Sequence, residues 1–180
     1  MKNFYRRNLP HWHPINQSFF LTWCLYGSLP KRVIADIKLS RRQLVRSLSK
    51  LTRAGERVRE YKRQLVKIDR ILDKAETGPV WLANPEIAES VQNALLEVYS
   101  HLYKLWSYVV MSNHVHVLLK PKPGYDVELI TKHVKGYTAR EANRILGRTG
   151  ETSGRMSVLT IGRETRRNFL ESLITLRTTR

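Results

Sequence analysis

Residues 105 to 119 constrain the fold most. Leu105 to Met111 and Val115 to Leu119 are runs rich in β-formers, separated only by Ser112 and Asn113, which predicts two adjacent strands joined by a tight turn. A helical pattern stands on each side. Upstream, Asn84 and Pro85 provide an N-cap and a first-turn proline, and Ile87, Val91, Leu95, Val98 and Leu102 then form one apolar stripe. Downstream, Asp126 is placed to cap a helix whose Val127, Ile130, Val134 and Tyr137 share a face, with Gly147 as its C-cap.

A further strand precedes these elements. Ser18 to Tyr26 is aromatic-rich and bounded by Gly27, Ser28 and Pro30, as suits a buried strand ending in a turn. Between it and the first helix, residues 39–76 carry Leu44, Leu48, Leu51, Val58, Leu65, Ile68 and Leu72 at helical spacing among twelve Lys and Arg, with Gly55 as a break. This segment reads as a basic helical insertion, either a solvated charged face or a DNA-contacting arm. The order strand, helix, strand, strand, helix is most of a split βαβ unit. It predicts an α+β, ferredoxin-like antiparallel sheet with helices on one face plus the insertion, lacking the last strand and helix.

Composition narrows the partners. With 180 residues there is room for one ordinary domain, and 32 Lys and Arg against 15 Asp and Glu give a net charge of +17, an imbalance that points to a polyanion, nucleic acid first. No apolar run reaches the roughly 18 residues of a membrane helix, and the basic amino terminus leads into prolines and histidines instead of an apolar signal core. A cytoplasmic location and no membrane partner are expected. Cys24, the single cysteine, excludes an intramolecular disulfide and reads as a small buried hydrophobe.

The chemistry rests on His114 and His116. On a strand they point to one face while Val115 and Val117 pack on the other. Two imidazoles can then converge on one divalent ion able to polarise a phosphate. A bare His-x-His is by itself more often a surface-facing pair on a half-exposed strand; its company, a strongly basic chain, a sheet core around the pair and a following helix with Lys and Arg, favours the site.

Several segments together resemble a known family. They are Thr22 to Pro30, Trp81 to Ala83 with Asn84-Pro85, Val110-Met111-Ser112-Asn113-His114-Val115-His116-Val117-Leu118-Leu119, and Lys135-Gly136-Tyr137-Thr138-Ala139-Arg140-Glu141-Ala142-Asn143. They resemble the REP-associated tyrosine transposases of the HUH single-tyrosine, IS200-like superfamily. The resemblance implies a dimeric ferredoxin-like domain that cleaves and joins single-stranded hairpin DNA. His114 and His116 would bind Mg2+ or Mn2+, a tyrosine would form a 5′-phosphotyrosine link, and Lys132, Lys135, Arg140, Asn143, Arg144 and Arg148 would contact DNA.

Tyr137 is the nucleophile candidate within the helix after the histidines. It also continues the apolar stripe as a core aromatic would, and the residue one turn on is Glu141, where the family's pattern has Asn or Gln. In that pattern the nucleophile lies later, in a segment resembling Tyr-Ile-x-x-Asn-Pro, which this chain lacks. After Thr152 there is no Trp, Tyr or Lys, although four Trp and eight Tyr precede it. Read one base out of frame, the codons of residues 153 to 162 permit Phe-Trp-Gln-Asp-Glu-Cys-Phe-Asp-His-Trp, and those of 174 to 180 permit Asp-Tyr-Ile-Glu-Asn-Asn-Pro. Residues 1–152 are therefore expected to be a transposase-like domain. Residues 153–180 are expected to be an out-of-frame, poorly ordered tail, leaving enzymatic activity open. The alternatives are a catalytically dead DNA-binding remnant and a basic RNA-binding protein.

Overall fold

The computed structural model describes residues 4–6, 10–12, 18–47, 63, 66–149 and 156–163. Two short strands, β1 (Phe4–Arg6) and β2 (Pro10–Trp12), pair antiparallel. The main sheet contains β3 (Phe19–Leu25), β4 (Tyr103–Val110), β5 (His114–Pro121) and β6 (Met156–Arg163) in the order β4-β5-β3-β6, every neighbouring pair antiparallel. The helices are α1 (Lys31–Ser47), α2 (residues 66–74), α3 (Pro85–Asn93) and α4 (Val127–Ile145).

Leaving out the insertion, β3-α3-β4-β5-α4-β6 is the α+β split βαβ expected. One expectation is corrected: the last strand of the sheet is present. Met156 to Arg163 pairs along β3, Trp23 standing opposite Val158 and Cys24 opposite Ser157. A run of β-formers beside an exposed strand edge satisfies that edge's backbone groups whatever its side chains are. The last helix, expected to be missing, falls in residues 164–180, outside the described residues.

All seven residues of β3 are buried, so both sheet faces are covered. On one, Phe19, Leu21, Trp23 and Leu25 join Val115, Val117 and Leu119 against Ile87 and Val91 of α3 and Ile130 and Val134 of α4. On the other, Phe20, Cys24 and Leu118 pack against Ile68 and Leu72 of α2, with Val33, Ile34 and Ile37 of α1 alongside. The split unit's helices thus share one face and the insertion covers the opposite one. Of the insertion's periodic residues, Ile68 and Leu72 are core; those from 48 to 62, Gly55 included, and Leu65 lie outside the described residues.

Helix ends follow local chemistry with one exception. Asn84 caps α3 by accepting from the Glu86 amide at 2.9 Å, whereas Asp126 occupies the N-cap of α4 without a side-chain capping bond. At the other end of α4, Gly147 has φ +66°, its amide donates to the Arg144 carbonyl, and the Arg148 amide donates to that of Asn143. That pair of bonds is a Schellman C-cap, which needs the left-handed backbone glycine tolerates. After α3, residues Ala94–Val98 make a π-type turn closed by the Tyr99 amide on the Ala94 carbonyl. The wider turn rotates Val98 out of the predicted stripe, to 37% exposure, while Leu95 and Leu102 stay buried. No described helix is long and apolar enough to cross a membrane.

Candidate metal and nucleic-acid site

The two-residue turn expected at Ser112 and Asn113 is closed by the Met111 amide on the His114 carbonyl, 2.8 Å, which sets Val110 opposite Val115. The register then puts Thr22 beside His116 and Cys24 beside His114. Strand alternation turns both imidazoles to the face covered by α1 and α2. His116 stacks on Phe20, ring centroids 5.4 Å apart, and His114 is 0% exposed.

Hydrogen bonds fix the rings. Asn113 Nδ2 donates to the Leu72 carbonyl at 2.9 Å, so its Oδ1 is the atom left for His114 Nδ1, 2.7 Å away. An amide oxygen only accepts, hence His114 carries its proton on Nδ1 and a lone pair on Nε2. That Nε2 lies 3.1 Å from Nε2 of His116, whose Nδ1 is 2.9 Å from the Thr22 hydroxyl. A hydroxyl both donates and accepts, so two states are open to this pair. Either Thr22 donates to His116 Nδ1 and His116 Nε2–H donates to His114, or His116 Nδ1–H donates to Thr22 and two lone pairs converge on a shared cation.

The second state is the arrangement metal-binding imidazoles adopt, the far nitrogen engaged and the near one aimed at the ion. A separation of 3.1 Å suits adjacent ligand atoms around a small ion with metal–nitrogen bonds of about 2.1 Å. Burial holds both rings neutral, as ligation requires: it pushes His114 down to about 4, and His116, with the neighbouring His114 adding to the effect, to about 3. The two histidines fit a divalent ion. Among the described residues, no three His, Cys, Asp or Glu side chains already stand as a complete ligand group.

Tyr137 is not brought to the histidines. It packs against the α3/α4 core, edge-on to Tyr99 at 6.1 Å, across the sheet from them. Of the predicted DNA contacts on α4 and beyond, Lys132, Arg140, Arg144 and Arg148 are exposed, while Asn143 and Lys135 are half-buried. Arg144 pairs with Glu141 at 3.0 Å and Arg148 lies over the Trp81 ring. Desolvation lowers the Lys135 ammonium to about 8, with the Cys24 thiol a smaller opposing influence. Cys24, itself pushed up to about 11 chiefly by burial, is the buried, inert thiol expected.

Sequence reading missed the basic groove between α1 and α2, lined by Pro30, Val33, Arg63, Lys67, Arg70 and Lys74. It also missed Asp73, whose Oδ1 is 3.8 Å from His114 Nε2. The only available signal was acidic residues inside a strongly basic helix.

Residues 81–155, which contain the His pair, α3 and α4, match the family described as transposase IS200 like. Comparison with curated proteins gave no significant match. Among solved structures, the chain is similar to one from Deinococcus radiodurans R1 that bears a transposase assignment, at 16% identity and a TM-score of 0.42, covering 97% of this chain and 96% of that one.

Proposed function

We propose that this chain is a transposase-type DNA-processing protein of the REP-associated, HUH kind, which binds single-stranded hairpin DNA and holds Mg2+ or Mn2+ between His114 and His116. The observation that carries the reading is the convergence of the two Nε2 atoms at 3.1 Å with both Nδ1 atoms engaged by Asn113 and Thr22. The match of residues 81–155 to IS200-like transposases and the charge of +17 support it. A divalent ion there would neutralise charge on a phosphate oxygen. Asn113 and Thr22 orient the imidazoles, α2 and Phe20 keep bulk water off them, and the exposed Lys and Arg of α2 and α4 attract the DNA backbone.

The covalent step is absent in this reading. Tyr137 stands across the sheet, and the family match ends at residue 155, three residues past Thr152, where the composition changes. That coincidence supports a tail read from a shifted frame, with the nucleophile and its helix encoded in the neighbouring one. The chain then acts as a metal-assisted DNA-binding remnant, and dimerisation belongs to the same reading.

The test is a labelled single-stranded hairpin offered to the purified chain with Mn2+, Mg2+ or a chelator. Expected are metal-dependent retention of DNA hairpins over matched RNA, loss of the metal-dependent part in His114→Ala and His116→Ala, and no covalent adduct. An adduct abolished by Tyr137→Phe would restore the nucleophile, whereas equal, metal-independent binding of RNA would sink the reading.

A further inference from the structure

Helix α2 gives one stripe to the groove it forms with α1. Lys67, Arg70, Ile71 and Lys74, at i, i+3, i+4 and i+7, share that stripe, and Pro30 and Val33 at the start of α1 stand across from it. Lys67, Arg70 and Lys74 are exposed, whereas Pro30, Val33 and Ile71 are half-buried. The groove therefore has a cationic rim over an apolar floor, Val33 and Ile71 resting on the cluster that contains Leu72 and Leu118. Among the described lining residues Glu76 is the one acid, paired with Lys74 at 3.6 Å with both side chains exposed. An exposed pair of that kind is weak, about 0–1 kcal/mol, and gives way to a more highly charged anion.

The walls are held in place. The Ile34 amide donates to the Pro30 carbonyl at 3.1 Å, which starts α1 there, and the Thr77 hydroxyl donates to the Ser28 carbonyl at 3.0 Å, tying the segment after α2 to the turn before α1. Leu72, next to Ile71, lends its carbonyl to Asn113 at 2.9 Å. The groove is thus preformed and lies over the sheet face that carries the histidine pair.

A cationic surface needs no apolar floor to hold a polyanion. An unpaired nucleic-acid strand presents both phosphates and apolar base faces, while a duplex hides its base faces by stacking. From Lys67 to Lys74 the helix rises about 10 Å, the length of roughly three nucleotides at about 3.4 Å each. We propose that the groove between α1 and α2 is a binding site for a short stretch of unpaired DNA, with phosphates on Lys67, Arg70 and Lys74 and base faces on Val33 and Ile71. This rests on the DNA reading above but not on its metal, and gives the helical insertion the task of holding strand that lies outside a hairpin.

The test uses the full chain in chelator and a thymidine homopolymer, which forms no hairpin. Expected are binding tighter than to a duplex, a roughly tenfold loss with an abasic strand of the same phosphate count, and weaker binding to a uridine ribopolymer. Lys67→Gln with Arg70→Gln should flatten the log–log salt dependence by about 1.4, some 0.7 for each cation, and Glu76→Gln should tighten binding by freeing Lys74. Lys122→Gln, an exposed cation away from the groove that removes one charge, should leave the preference for unpaired strand intact. Equal binding of thymidine and abasic strands, or a salt slope unchanged in the double variant, overturns the groove as the site, and equal binding of the ribopolymer overturns DNA as its ligand. Metal-dependent hairpin retention that persists while the groove variants match the wild type sinks this inference alone; groove-dependent binding of the homopolymer with no metal effect on hairpins sinks only the metal reading.

Discussion

Asn113 joins the insertion to the paired histidines: its amide donates 2.9 Å to the carbonyl of Leu72 in α2 while its oxygen receives His114 Nδ1–H at 2.7 Å. One buried side chain therefore sets both the seat of a helix and the tautomer of His114. Asn113→Ala leaves the Leu72 carbonyl and the His114 N–H without partners. It is expected to cost about 1–3 kcal/mol in chemical denaturation and to weaken Mn2+ binding about 10- to 100-fold in titration. An unchanged affinity would show that the ring needs no such orientation.

Gly78 keeps α2 in register with the strand turn it leans on. Its φ is +77°, and a Cβ there would come within 2.4 Å of the Gly27 carbonyl carbon. Beside it, the Thr77 hydroxyl donates to the Ser28 carbonyl at 3.0 Å. Gly78→Ala adds left-handed strain to a backbone clash and is expected to lower stability by roughly 1–3 kcal/mol or more. Hydrogen exchange should show the loss concentrated in α2; a variant as protected as the wild type would refute the close approach.

A DNA contact by Lys135 would make binding depend on pH. With its ammonium lowered to about 8 by burial, it is charged below that value and neutral above it. If it contacts DNA, the salt dependence of single-strand binding should flatten by about 0.7 in log–log slope between pH 7 and pH 9. Lys135→Arg, which stays charged, should abolish the change. The same slope at both pH values in the wild type would remove Lys135 from the interface.

Asp69 acts on stability in the opposite sense to an exposed carboxylate. Burial first, and the Asp73 carboxylate second, raise it from 3.8 to about 7. The folded chain thus holds a proton that the unfolded chain has released. Its contribution is fully present below pH 3.8 and is lost as pH rises through 7. In chelator, Asp69→Asn is expected to lose less stability than the wild type between pH 5 and pH 8, read from melting temperature. Parallel pH profiles for the two proteins would contradict the buried, protonated acid.

Much of the site was legible because it is local. The pairing of β4 with β5 follows from two β-rich runs around a two-residue turn, and the common face of His114 and His116 follows from strand alternation alone. Asn84 and Gly147 cap helices as their residue types predict. Asp126 and Val98 did not follow. Asp126 sits at its cap position with no bond to the helix, and a π-type turn, which no side-chain pattern announces, swings Val98 outward. The last strand was misjudged because side-chain composition was used to reject a segment whose place in the sheet is set by backbone pairing with β3.

By itself the sequence determined the strands β3, β4 and β5, the two helices of the split unit and the paired histidines, since each depends on residue type and spacing along a short stretch. Only the tertiary structure decided which sheet face is which. It put α2 over His114, bringing Asp73 to within 3.8 Å across 41 positions of chain, and put Tyr137 on the far side with Tyr99. Periodicity tells that an apolar stripe will be buried but not against what, because the partner surface is chosen by the packing of both faces of β3, and that choice is made by the whole chain.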